Sequence, residues 1–142
     1  MPTATTPTEY SPITRRNPST MWDSTANGHS QISIADAGRM AYLSGQIATV
    51  DDGSPLPASV RGQAERIRIN LKAALDDLGA SVRDIVMLRL YVVNGTTDRF
   101  LEAYSAIREM LDGEMPSVTV LGVQSLFTPA LQVEIEMTVR VP

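Results

Sequence analysis

Two carboxylates lie two residues apart near the end of the chain, Glu134 and Glu136, within the segment from Leu131 to Val141. Leu131, Val133, Ile135, Met137 and Val139 take one face of it. Gln132, Glu134, Glu136, Thr138 and Arg140 take the other. This period-two pattern predicts a strand with one buried face. Carboxylates in mid-strand are disfavoured unless they are solvated or paired, so the pair is either a solvated outer face or part of a site. His29 is the one histidine. Its imidazole could relay protons near neutral pH, but a lone histidine with no carboxylate pair beside it gives no metal-site pattern. Arg89 interrupts the apolar run from Ile85 to Val93, and an arginine buried there needs a partner. Ser44 stands at a strand end, where its hydroxyl bonds either backbone or a ligand. Tyr104 falls at helical spacing among apolar residues, as core or as the wall of a cleft.

The elements that must position these groups read as follows. Residues 1–28 are rich in Thr, Pro, Ser and Asn and predict an arm with little regular structure. Tyr10, Ile13, Met21 and Trp22 are its apolar exceptions, and such a group usually docks on its own domain or on a neighbour. His29 to Ala35 and Met40 to Gly45 alternate on either side of the Ala37-Gly38 turn and read as a hairpin. Ile47 to Ala58 is a loop. Ser59 caps a helix whose apolar stripe is Val60, Ala64, Ile67, Leu71, Ala74, Leu75 and Leu78, with Gly79 as its stop. Ile85 to Val93 predicts a central strand covered on both faces. Thr96 or Thr97 opens a second helix, with Phe100, Ala103, Tyr104, Ile107 and Leu111 inward. Pro116 opens a final pair of strands, Ser117 to Val123 and Leu131 to Val141. The order is ββ-α-β-α-ββ, a two-layer α+β domain over residues 29–142 with both helices on one face of a mixed sheet. The other face, through Met87, Tyr91 and Val93, is left without a cover, and self-association is the economical way to supply one.

Composition narrows the classes. The chain has 142 residues, 43% hydrophobic and 20% charged, enough for one domain with a sizeable core. A net charge of −4 and no basic run argue against a partner bound through its phosphates. There is no cysteine, which removes disulfides, thiolate catalysis and zinc-thiolate sites. The start lacks a basic run followed by an apolar core, so no secretory signal is expected. No apolar run is long enough to span a bilayer. A cytoplasmic protein is the expectation.

Several short motifs then stand in a telling order: Ser44-Gly45-Gln46-Ile47; Gln63…Asn70-Leu71 in the first helix, ending in Leu78-Gly79-Ala80; Asp84-Ile85-Val86; Pro116; and Val133-Glu134-Ile135-Glu136. From Gly28 to Val141 the chain resembles the Rid family of reactive-intermediate deaminases, also called the YjgF family. The resemblance implies a chorismate-mutase-like α+β fold and a homotrimer with a barrel-like centre, holding small-molecule sites in the clefts between subunits. It implies hydrolysis of imines or enamines to a keto acid and ammonia, with no metal or organic cofactor; for this chain the expected reaction on an imine or enamine is such a hydrolysis or a tautomerisation.

Carried over residue by residue, two features are retained, Ser44 and Glu134. The family's glutamate, here Glu134, helps position water and would serve as acid or base in a partly desolvated cleft. The family's tyrosine falls on His29, and its asparagine on Tyr104. The arginine that holds the substrate carboxylate is replaced by Val118, which cannot bind one. Arg89 either substitutes for that arginine or pairs with a carboxylate at the trimer interface. The expected catalytic pair is therefore Glu134 and His29, with Ser44, Tyr104, Arg89 and Val118 around the substrate. A substrate without a carboxylate fits Val118 better than a 2-imino acid. The rival expectation is a ligand-binding or chaperone-like trimer that kept the cleft and lost the chemistry. Endoribonuclease activity, also attached to family members, is disfavoured by the acidic balance. The expected partners are a small molecule and further copies of the chain, with neither nucleic acid nor membrane.

Overall fold

The computed structural model describes residues 11–49 and 51–142. Two helices form where capping and periodicity ask for them. Ser59 accepts the N–H of Gly62 and opens α1, Val60–Asp77. Thr96 accepts from Arg99 and opens α2, Thr97–Leu111. The stripe Val60, Ala64, Ile67, Leu71 and Leu75 on α1 and the stripe Ala103, Ala106, Ile107 and Leu111 on α2 are buried.

The described residues also form six strands: β1 (Ile13–Arg16), β2 (Ile32–Ala35), β3 (Met40–Gln46), β4 (Ile85–Val93), β5 (Ser117–Val123) and β6 (Val133–Arg140). Four of them make the main sheet, in the order β3-β6-β4-β5. Its helix-facing side carries Leu88, Leu90 and Val92 from β4 and Val133, Ile135, Met137 and Val139 from β6, all buried against the helices. Each such side chain contributes roughly 1.5–3 kcal/mol by leaving water. The α+β architecture agrees with the sequence, helices on one face of a mixed sheet.

Four details differ from the sequence reading. Ile13–Arg16, read as part of an irregular arm, is a strand. It pairs antiparallel with β2 in a sheet of its own, Ile13 opposite Ala35 and Arg16 opposite Ile32. The expected β2–β3 hairpin does not form, because β2 pairs with β1 while β3 pairs with β6. The final two strands are not a pair either. β4 lies between them, parallel to β5 and antiparallel to β6, with α2 as the β4-to-β5 crossover. Finally, β4 is covered on one face only. Met87, Tyr91 and Val93 are half-buried and Arg89 is exposed on the other. Tyr10 and the first ten residues of the expected arm lie outside the described residues.

The β1–β2 ribbon is tied to the main sheet by polar contacts. Arg15 donates to Ile85 O at 2.6 Å and to Ser33 Oγ at 2.8 Å. Ser33 Oγ lies 2.8 Å from Ser117 Oγ, and Ser30 N donates to Pro116 O at 3.1 Å. These contacts set the residues just before β2, including His29, beside the start of β5.

Candidate functional site

A cleft of about 410 Å³ opens between α2, β5 and the segment leading into β2. Its floor is Val118 and Val120, which share the helix-facing side with their register partners Leu88 and Leu90. Its wall is α2, which presents Phe100, Tyr104 and Arg108 four residues apart, and so on one face. Asn27 and His29 close the third side.

That third side is held from below. Ser24, fully buried, donates through Oγ to His29 O at 2.8 Å. The Tyr104 hydroxyl donates to Gly28 O at 2.7 Å. Burial pushes the Tyr104 phenol up to about 12, partly opposed by the nearby Arg108 charge. Tyr104 thus stays protonated at neutral pH and acts as a donor that positions the loop. It is at once core and cleft wall, which unites its two sequence readings. The His29 ring is half-buried, with the ring of Trp22 at 6.3 Å between centroids and tilted by 48°. Trp22, 65% exposed, thus stands beside the residue that borders the cleft.

The remaining expected residues gather elsewhere, on the open face of the main sheet. Glu134 lies opposite Tyr91 and Glu136 opposite Arg89. The Tyr91 hydroxyl donates to the Glu136 carboxylate, and that bond, with some desolvation, raises the phenol. Arg89 reaches the same carboxylate at 3.5 Å. The sequence read Arg89 as buried; its side chain is 49% exposed and its carboxylate partner is in its own chain. Position on a sheet that lacks a second layer explains the difference. Glu136 is the carboxylate with partners. Glu134 has no hydrogen bond or ion pair among the described residues, and its carboxylate lies directly over the Cα of Gly45, next to Ser44. A β-bulge makes this approach possible: one extra residue on β3 between Leu43 and Gln46 carries Ser44-Gly45 past β6.

The structure thus brings His29, Tyr104 and Val118 together in the cleft, and sets Glu134 beside Ser44-Gly45 on the open face, where Arg89 is held by Glu136. Within one chain the two groups do not meet. β6 is two strands away from β5, and their side chains point to opposite faces. Arg108 and Gly45, which sequence reasoning did not single out as functional, each shape one of the groups. A larger cavity of about 580 Å³, lined in part by Ser11, Arg83, Arg140 and Pro142, touches neither group. Among the described residues no group of three or more His, Cys, Asp or Glu could hold a metal ion, and no helix is long and apolar enough to cross a membrane.

A family model described as endoribonuclease L-PSP matches residues 23–141, and the chain belongs to this family, the one that also carries the names Rid and YjgF. The match begins inside the segment that the sequence reads as an arm. Among solved structures the chain is similar to YyfB from Yersinia pestis, a Rid-family protein of unknown function. The two share 31% identity and a TM-score of 0.84, over 91% of this chain and 98% of that one. It is also 29% identical over 103 residues to a 2-iminobutanoate/2-iminopropanoate deaminase of the mite Dermatophagoides farinae, covering 72% of this chain and 78% of the relative. The mitochondrial protein MMF1 of Saccharomyces cerevisiae is similar to the same extent, 29% over 103 residues, with 72% of this chain and 68% of the relative covered.

Proposed function

We propose that the chain assembles into a homotrimer and hydrolyses an imine or enamine in a cleft shared by two subunits. The observation that carries this reading is the state of Glu134. Among the described residues it is the one member of the carboxylate pair without a protein partner, laid over Gly45 beside Ser44, on a sheet face that a single chain leaves open. A second subunit covering that face would desolvate Glu134 and bring it to the neighbour's cleft, opposite His29. The mite relative's name supplies the reaction class.

In the reaction one imine and one water give one carbonyl compound and one ammonia. Glu134 accepts a proton from water as its oxygen adds to the imine carbon. His29 delivers a proton to nitrogen; in the collapse the Glu134 carboxyl gives its proton to the amine as the carbon–nitrogen bond breaks and the hydroxyl proton passes to His29, which leaves the carbonyl, ammonia and both residues in their starting states. For an enamine, protonation of carbon comes first, and the same imidazole supplies it. Ser44 orients the ligand, and Tyr104 holds the loop that carries His29.

A second reading is favoured by the cleft floor. Val118 puts a methyl-lined surface where the family places its carboxylate-binding arginine, and such a cleft suits a ligand-binding trimer without turnover. The word endoribonuclease in the family's description finds little support in this chain. Its net charge is −4, and Arg61 and Arg68 are paired with Glu65 and Glu109. The cytoplasmic location expected from the sequence is part of the same proposal. The yeast relative is named as mitochondrial, so cell fractionation is the check.

The test of function uses imines made in situ by an amino-acid oxidase, together with an amine-derived imine that has no carboxylate. Wild-type protein should speed their loss, and Glu134→Ala should abolish the gain. Turnover that survives Glu134→Ala would refute the assignment of Glu134. No turnover on any imine would leave the binding reading.

A further inference from the structure

Arg108 stands one helical turn beyond Tyr104 on the cleft wall. Its position is set by Gly28. A Cβ at residue 28 would lie 2.5 Å from Arg108 Nε and 2.9 Å from its Cδ and Cζ, so the guanidinium rests on a surface that only glycine offers. Gly28 also has φ +81°, the left-handed conformation that side chains disfavour. The loop and the arginine therefore share one requirement.

Among the described residues the Arg108 guanidinium has no carboxylate partner, and its charge acts only on the nearby Tyr104 phenol. The guanidinium's one hydrogen bond among the described residues runs from Nη2 to Ala26 O at 3.4 Å, at the long end of the range. Arg61, Arg68 and Arg89 all have carboxylate partners, whereas none lies within ion-pair distance of Arg108 among the described residues. A planar fork of donors with spare capacity, facing a cleft, matches a carboxylate.

The cleft is polarised around it. Phe100 and Arg108, with Tyr104 midway, stand eight residues apart along α2, about 12 Å at 1.5 Å per residue. Phe100 makes the far end apolar, and Val118 and Val120 make the floor apolar. We infer that Arg108 is the anion anchor of this cleft, and that the ligand class it selects is a 2-imino acid with a large apolar or aromatic side chain. The carboxylate sits on Arg108, and the side chain lies over Val118, Val120 and Phe100. This rests on the cleft being the substrate site. It reverses the carboxylate-free substrate expected from Val118 alone, because the cation stands on the helix wall instead of the strand floor.

The test is binding of stable 2-oxo acids, the product class, to the full chain. The readout is the fluorescence of Trp22, the one tryptophan, whose ring lies 6.3 Å from that of His29. Phenylpyruvate is compared with phenylacetone, which has methyl for carboxylate, and with pyruvate, which lacks the ring. Wild type should bind phenylpyruvate about tenfold or more tighter than either, the scale of a charge-assisted hydrogen bond. Arg108→Gln should erase the preference over phenylacetone while phenylacetone still binds and the melting temperature holds. Arg108→Lys should keep part of the preference. The inference is overturned if Arg108→Gln keeps the preference, if both ligands are lost together, or if wild type binds no phenylpyruvate. These ligands undergo no hydrolysis. Arg108-dependent binding without imine turnover would sink the proposed catalysis and leave the anchor standing. Turnover without Arg108 dependence would do the opposite.

Discussion

Gly45→Ala is the smallest change that separates the chemistry from the fold. A Cβ built on Gly45 falls 1.9 Å from Glu134 Oε1, 2.7 Å from Cδ and 2.9 Å from Cγ. Ordinary contact begins near 3.4 Å, so the carboxylate must shift by about 1.5 Å. The obstacle is the far end of a flexible side chain, and Gly45 is exposed with no positive φ. The shift is therefore cheap for folding. Replacing glycine by alanine also narrows the unfolded ensemble, worth about 0.4–1 kcal/mol where the backbone permits it. Stability should hold or rise slightly. Catalysis should not: misplacing a reacting group by about 1 Å costs on the order of 100-fold. Imine turnover at saturating substrate should fall by about that factor, with an unchanged melting curve. A Gly45→Ala variant that works at the wild-type rate would refute the placement of Glu134 in the site. One that unfolds would refute the claim that its glycine is there for the carboxylate.

Two further changes test the supporting structure. Arg15→Ala removes the donor to Ile85 O and Ser33 Oγ and should cost roughly 2 kcal/mol in urea unfolding, the scale of a hydrogen bond from a charged group; a loss within error would mean that the β1–β2 ribbon is held by other contacts. Tyr104 has a folded-state pKa near 12 against about 10 when unfolded, so unfolding between those values releases a proton. Stability should be fully present below pH about 10 and fall as pH rises toward 12, and Tyr104→Phe should flatten part of that slope; an unchanged slope would contradict the burial of the phenol.

The helices and the faces of β4 and β6 were legible because periodicity is a local signal. Val133, Ile135, Met137 and Val139 are buried in the alternation that the sequence displays. Strand partners were not legible, since alternation fixes a face and not a neighbour. The Ala37-Gly38 turn invites a hairpin, yet β3 pairs with β6, with Met40 opposite Arg140. β1 was missed because Ile13-Thr14-Arg15-Arg16 has no apolar alternation; its inward arginine is satisfied by backbone carbonyls. In the site, the resemblance led to His29, Tyr104 and Val118, which do converge. Arg108 was invisible as a functional group, since a charged residue near a helix end reads as solvated surface. The signal was its place in the series Phe100, Tyr104, Arg108.

The claim at the centre of this account is that the site is divided between copies of the chain, and subunit mixing tests it most directly. Glu134→Gln and His29→Gln proteins, each inactive alone, are co-assembled in equal amounts and assayed for imine loss. If Glu134 comes from one subunit and His29 from its neighbour, random mixing leaves about a quarter of the sites intact, and that share of the wild-type rate should return. Correctly folded mixed oligomers that stay inactive, although wild type is active, would contradict the divided site.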